Sequence, residues 1–285
     1  MSLILHIESF LGEKIISSNS VSGGCIADSK IIKTASGATY FLKTLSGSLG
    51  MFLKEANGLT ELAKTNCLRV PKVILANEDF LLLEHIESGR KSNNFFQEFG
   101  KAFAEMHRYT SDEFGFYEDN YIGATPQYNI AKGNERTNWA EFYFQKRMLP
   151  QLKFAEQNGY VTAELSKGMA KLEHRMTAVL NGSEEPPTLL HGDLWGGNYM
   201  CDSEGNAVLI DPAVYYGHRE ADLAMTKMFG GFTHEFYTAY QEEFPLKEGW
   251  EYRENLYLLY HHLNHLNLFG NSYYNGCINL LHAYI

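Results

Sequence analysis

The feature that most restricts the fold of this chain is a change of hydrophobic period near residue 90. Before it, KIISSNSV, IIKTASGATYFLKTL and VPKVILANEDFLLLEHI carry β-branched and large apolar residues in short runs broken by Gly, Ser and Asn, as paired strands do. SGAT and ANED read as the turns between them. One helix interrupts this pattern. In MFLKEANGLTELAKTN, Phe52, Leu53, Ala56, Leu59, Leu62 and Ala63 recur at helical spacing, with Ser48 as the expected cap. After residue 90 the period is helical: Phe95, Phe99, Phe103 and Met106 share one face, and helices are expected over 137–158, 161–180, 220–229, 232–242 and 250–269. A β-rich first third with one helix, then a mainly helical remainder holding one strand–loop–strand insert, predicts an α+β chain of two lobes. The boundary is expected after residue 86, giving lobes 1–86 and 87–285 with the functional cleft between them.

Charge and cysteine usage narrow the function. With 34 acidic against 24 basic side chains, the formal charge is −10. A broad nucleic-acid or anionic-membrane surface needs clustered Lys and Arg and is not expected. A small anionic ligand held by one or two local cations remains compatible. No apolar run approaches the ~20 residues of a membrane span. MSLILHIESFLGEK lacks the basic start and small-residue cleavage site of a secretory signal. Cys25, Cys67, Cys201 and Cys277 are widely separated with no CxxC pair, so neither a zinc site nor a disulfide framework is indicated. A cytoplasmic location with reduced thiols is the resulting expectation.

Two neighbouring segments ask for a chemical explanation. LLHGDLWGGNYM, residues 189–200, places His191, Asp193 and Asn198 in one short loop, and AVLIDPAVYYGHRE, residues 207–220, ends an apolar run in Asp211 before a proline. As structural residues, Asp193 and Asn198 would cap turns and Asp211 would end a strand. Phosphoryl transfer from ATP accounts for all three together. That reaction needs an acceptor for a hydroxyl proton, divalent cations to offset phosphate charge, and accurate placement. Mg²⁺ takes hard oxygen ligands, commonly one or two side chains plus phosphates and water. Asp193 is therefore read as the base, with Asn198 and Asp211 as the metal ligands.

D-x4-N followed by a strand-terminal Asp resembles the catalytic and metal loops of the protein-kinase-like superfamily. HGD in place of HRD, and DPA in place of DFG, resemble its small-molecule branch, which includes aminoglycoside and choline kinases. The fuller string HGDLWGGN…LIDPAVYYGHREADLAM…FGGF, with NWAEFYFQKRMLPQL and LYLLYHHLNHLNLFG, is similar to the fructosamine (ketosamine-3) kinases over nearly the whole chain. The resemblance implies a two-lobed kinase-like fold and ATP with Mg²⁺ as cofactors. It also implies phosphorylation of the sugar 3-hydroxyl of a free or protein-bound ketosamine, by a monomer or homodimer. A strand lysine paired with a helix glutamate should then be present, and Lys43 in TYFLKT and Glu55 in FLKEANGL stand in those places. SVSGGCIAD, with Gly23, Gly24 and Cys25, would be the loop over the phosphates. Glu84-His85-Ile86 would connect the lobes, with backbone groups of Glu84 and Ile86 holding adenine.

Several further residues have both a structural and a functional reading. Trp195, beside the base, could stack on the acceptor or fill the core. His218, Glu220 and His262 are candidates for the acceptor side, and Asp222 is expected to brace the catalytic loop. His261 and His265 lie one helical turn apart, but no third ligand class accompanies them, and zinc is not expected. His107 is expected to end its helix as a structural residue. Cys25, between a glycine and the phosphate loop, is a candidate redox-sensitive thiol. Two other functions fit less of the chain: the same transfer to an aminoglycoside, choline or homoserine, or a catalytically idle nucleotide-binding module.

Overall fold

The computed structural model describes residues 3–21, 27–45, 47 and 50–285. The expected Ser48 cap and the Gly23, Gly24 and Cys25 positions lie outside them. The first lobe is one antiparallel sheet wrapped by two helices. Helix α1 (Leu3–Leu11) precedes strands β1 (Ile15–Val21), β2 (Asp28–Thr34) and β3 (Thr39–Thr44). Helix α2 (Met51–Ala63), β4 (Val73–Ala76) and β5 (Phe80–Glu84) follow, and the sheet order is β1-β2-β3-β5-β4.

Strand period explains how two helices share one sheet. Successive side chains of a strand point to opposite faces. Leu82 accordingly packs with Ile32, Leu42 and Ile7 of α1, whereas Leu81 and Leu83 pack with Phe52, Ala56 and Leu59 of α2. The sequence pattern anticipated only α2; α1 covers the other face. That second cover is why FLLL of β5 is buried without alternation. The N-cap position of α2 is Gly50, in a left-handed conformation, with no side-chain cap.

The second lobe is mainly helical. It begins with α3 (Phe95–Met106), the small hairpin β6 (Asn120–Ile122) and β7 (Thr125–Gln127), then α4 (Trp139–Tyr143), α5 (Leu149–Gln157) and α6 (Ala163–Leu180). Between α4 and α5, residues 144–148 form a wider π turn. Pro150, at the start of α5, has no N–H and crowds the carbonyl four residues back, and the wider turn absorbs both effects. Next come the short strands β8 (Thr188–Leu190), β9 (Tyr199–Cys201), β10 (Ala207–Leu209) and β11 (Tyr215–Gly217), paired as β9–β10 and β8–β11. Helices α7 (Glu220–Met228), α8 (His234–Glu243), α9 (Trp250–Phe269) and α10 (Tyr274–His282) complete the lobe. No helix of the described residues is long and apolar enough to cross a membrane.

Helix α3 presents Phe99 and Phe103 to Phe236 and Tyr240 of α8, with ring centroids 5.1 Å apart for Phe99–Phe236 and 5.8 Å for Phe103–Phe236. Phe103 is fully buried there. Phe103→Ala should therefore destabilise the protein by about 3–5 kcal/mol, read as a fall in denaturation midpoint in urea or on heating.

Candidate active site

Two loops form the centre of the site. Residues 191–198 join β8 to β9, and residues 210–214 join β10 to β11. Their backbones are laced together: Ala213 N–H donates to the His191 carbonyl at 2.8 Å, and Ile210 N–H to the Asn198 carbonyl at 3.0 Å. A Cβ on Gly192 would lie 2.0 Å from the Ala213 carbonyl oxygen, and its φ is +83°, so only glycine fits between His191 and Asp193. Asp222, in the first turn of α7, braces this loop as expected. Its two oxygens accept from His191 N–H at 2.6 Å and Gly192 N–H at 2.7 Å. Behind it, His107 is fully buried, with Nε2 3.3 Å from Asp222 and Nδ1 2.7 Å from the Tyr240 hydroxyl.

Hydrogen bonds set the orientation of each candidate group. His191 Nε2–H donates to the Ile210 carbonyl at 2.9 Å, which leaves Nδ1 to accept from Asp193 N–H at 3.3 Å. Burial lowers the His191 pKa and keeps the ring neutral. Asn198 Nδ2 donates to the Asp193 carbonyl at 2.8 Å and to Asp193 Oδ2 at 3.1 Å. Both amide protons are thus committed, and Asn198 Oδ1 is left as an oxygen donor. Burial, reinforced by the nearby Asp211 charge, holds the Asp193 carboxyl well above the usual carboxylate range.

Asp211 has φ +53°, a left-handed conformation rare for a residue other than glycine and one that clusters at functional sites. Its Oδ1 lies 3.0 Å from Lys43 Nζ, which is also 2.8 Å from both oxygens of Glu55. β3, α2 and the 210–214 loop therefore meet at one ammonium. Burial alone would lower the Lys43 pKa, but the Glu55 and Asp211 charges outweigh it, so the lysine is a fixed cation.

The remaining candidates separate into two groups. Glu84 ends β5, and its carboxylate is engaged by Arg69 Nη2 at 2.7 Å and Lys72 N–H at 3.2 Å, while Ile86 is buried. Trp195 sits edge-on to Phe229 at 5.6 Å, and Phe229 lies 5.1 Å from His265, an aromatic run beside Asp193. His218 and Glu220 need correction as acceptor-side residues, because both turn into the interior. His218 Nε2 donates to the Ser183 carbonyl at 2.7 Å. Glu220 accepts two hydrogen bonds from Arg253 of α9, at 2.8 and 2.6 Å, because the buried face of α7 packs against that helix. His262 is half-buried: its Nδ1 donates to the Leu258 carbonyl at 3.0 Å, and its ring lies against Gly276, where a Cβ would come within 2.5 Å. A cavity of about 750 Å³ between α3 and the β9–β10 turn, lined by Arg69, Phe95, Glu98 and Asp202, contains none of these groups. The chemistry of the side chains, rather than cavity size, marks the site. Sequence reasoning also passed over the hairpin around β6 and β7, although NYIGATPQYN packs several amides into a few residues.

A sheet lysine held by a helix glutamate, above a D-x4-N loop and a left-handed Asp, defines a phosphotransferase of the protein-kinase-like class. The solved gentamicin complex of APH(2")-IIa has this fold, with a TM-score of 0.64 at 14% identity, covering 99% of this chain and 96% of that one. The family is narrower. The fructosamine kinase model matches residues 2–285, and the chain belongs to that family. It is 40% identical over 281 residues to the protein-ribulosamine 3-kinase, chloroplastic, of Oryza sativa subsp. indica, covering 95% of this chain and 80% of that protein. A crystal structure from Thermobifida fusca that bears a fructosamine-3-kinase name is similar at 32% identity and a TM-score of 0.86, covering 99% of this chain and 98% of that one.

His261 gives the lobe a measurable pH response. It is buried, its Nδ1 has no hydrogen-bond partner, and burial, with His265, His262 and Arg147 nearby, lowers its pKa to about 3. The unfolded chain takes up the proton near 6.5, so this contribution is complete above that pH and is lost as pH falls below it. Going from pH 7 to pH 5 should cost about 2 kcal/mol through this group. Urea denaturation at both pH values should show a smaller loss for His261→Met than for the parent chain.

Proposed function

We propose that this chain transfers the γ-phosphoryl group of ATP to a sugar hydroxyl of a ketosamine, with Asp193 as the base. The observation that carries this reading is the meeting of Lys43, Glu55 and Asp211 beside the Asp193–Asn198 hydrogen bond. In it, residues 1–86 form the nucleotide-binding lobe and residues 87–285 the catalytic and acceptor lobe. Lys43, fixed as a cation by Glu55, would contact the nucleotide phosphates. The backbone at the end of β5, around Glu84 and Ile86, would receive adenine, since the Glu84 side chain is already engaged.

The donor set fits Mg²⁺. It offers the Asp211 carboxylate, 45% exposed at its side chain, and the uncommitted Asn198 Oδ1, two hard oxygens on loops joined by the Ile210–Asn198 hydrogen bond. The bound ion would offset phosphate charge. Asp193 accepts the proton of the attacking hydroxyl. Asn198 holds that carboxylate at 3.1 Å and fixes its direction, and Asp222 fixes the loop beneath it. Trp195 and Phe229 offer an aromatic face beside the base, suited to a sugar ring and the cationic amine of a ketosamine.

The ribulosamine name of the rice relative favours a ketosamine acceptor. An aminoglycoside, with several positive charges, would need an acidic groove, and Glu220, a candidate acid for one, is committed to Arg253. A cytoplasmic setting completes the proposal, in keeping with free Cys67, Cys201 and Cys277. The test is ATP-dependent phosphorylation of ribulosamine, erythrulosamine, fructosamine and aminoglycoside acceptors. Phosphorylation of ketosamines is expected; turnover with aminoglycosides alone would refute the acceptor. Asp193→Asn should lower kcat by roughly 10²–10⁴-fold while nucleotide affinity stays within about threefold.

A further inference from the structure

We propose that the hairpin segment 118–129 is a strut holding the two metal- and phosphate-facing elements in register, with Glu118 and Gln127 as positioning residues for nucleotide binding. In a kinase-like fold, the helix that carries the glutamate and the loop that carries the metal aspartate belong to different lobes. Their relative placement decides whether the lysine, the glutamate and the aspartate meet. Here one short segment is bonded to both.

Toward α2, the Glu118 carboxylate accepts from Lys54 Nζ at 2.5 Å and from Asn57 Nδ2 at 2.8 Å. Those two donors flank Glu55 in sequence, so the bonds fix the turn of helix that presents it. Toward the metal loop, Gln127 Nε2 donates to the Ala213 carbonyl at 2.9 Å and Asn120 Nδ2 to the Val214 carbonyl at 2.8 Å. These carbonyls lie two and three residues after Asp211. Neither end is loose. Gln127 also donates to Asn120 Oδ1 at 2.9 Å and accepts from the Tyr260 hydroxyl at 2.9 Å. Asn129 donates to Asn120 Oδ1 at 2.8 Å and accepts from Arg147 Nη2 at 2.7 Å. Gln127 is 1% exposed and Asn129 fully buried. Buried amides with every partner satisfied hold a shape more rigidly than apolar packing does, and leaving one unpaired is costly.

The two anchored elements also touch each other. A Cβ on Gly58 of α2 would lie 2.4 Å from Val214 and 3.4 Å from Pro212. Glu61, one turn further along, accepts from the Tyr216 hydroxyl at 2.9 Å. The strut, the Gly58 contact and the Glu61 bond therefore hold α2 at one distance from the loop, the distance at which Lys43 reaches Asp211. A helix tied at Lys54, Asn57, Gly58 and Glu61 is held where Glu55 meets Lys43.

The inference rests on the assignment of Lys43 and Asp211 to nucleotide and metal. The test measures Mg²⁺·AMP-PNP binding by calorimetry, together with thermal midpoints without nucleotide. Asp211→Asn and Lys43→Met test that assignment: unchanged binding in both would overturn it, and the strut's role with it. Given weakened binding there, Glu118→Gln and Lys54→Met should each weaken affinity about tenfold. The double variant should be no weaker than either single one, since both remove the same contact. Gln127→Leu should weaken affinity by a similar factor in its folded fraction. A hairpin that only stabilises the fold would lower the midpoint while leaving the affinity of the folded protein unchanged, and that result would overturn the proposal. Because the Glu118–Lys54 pair is partly exposed, with side chains 16% and 33% accessible, those variants fold even if Gln127→Leu does not.

Discussion

The arrangement depends on one partly desolvated cation. Lys43 Nζ sits between the Glu55 and Asp211 carboxylates with its side chain 10% exposed. A buried charge left unpaired is strongly unfavourable, and replacing a buried ion cluster by apolar groups is often neutral or stabilising. This triad is thus weak evidence for stability and better evidence for a task that needs positive charge at that point. Its three members come from β3, α2 and the 210–214 loop, so the charge balance closes only when the two lobes are placed correctly.

Support for the candidate site is graded from the Asp193 carboxylate to the core. Asp193 is aimed by Asn198, the loop holding Asp193 is aimed by Asp222, and Asp222 is met by His107, which in turn reaches Tyr240 of α8. That chain of bonds ends in the aromatic contact between α3 and α8, where Phe99, Phe103 and Phe236 fill the interior. Aromatic packing beneath polar positioning turns non-directional burial into a defined direction for one carboxylate. Glu220 and Arg253 serve the same lobe as a buried pair between α7 and α9, away from the chemistry.

Much of this was legible before the fold was known, for local reasons. The strand runs of the first lobe, the helix over Phe52–Leu62 and the helices between residues 95 and 269 follow from period alone. Asp193, Asn198 and Asp211 lie on loops adjoining short strands, where spacing along the chain translates directly into proximity. Lys43 and Glu55 are legible only through the family resemblance, one near the end of β3 and the other in the second turn of α2. The misreadings have a common cause. His218 and Glu220 are polar residues close to the motif in sequence, but the chain after β11 turns both inward, and a partner distant in sequence (Ser183 for one, Arg253 for the other) accounts for each. Helix α1 escaped notice because its short apolar face makes sense only once β2, β3 and β5 supply the surface it covers.

The sequence by itself determined the class of most elements and the family, and it singled out the candidate oxygens of Asp193, Asn198 and Asp211, since these depend on residue type and short-range spacing. Tertiary structure alone decided which charges are paired and which are left to act. Glu118 to Lys54, Gln127 to the Ala213 carbonyl and Glu220 to Arg253 are contacts between segments far apart in the chain. No local pattern encodes such contacts, because a hydrogen bond tolerates only a few tenths of an ångström of misplacement, and distances that accurate are set only when both lobes and their connecting hairpin pack together.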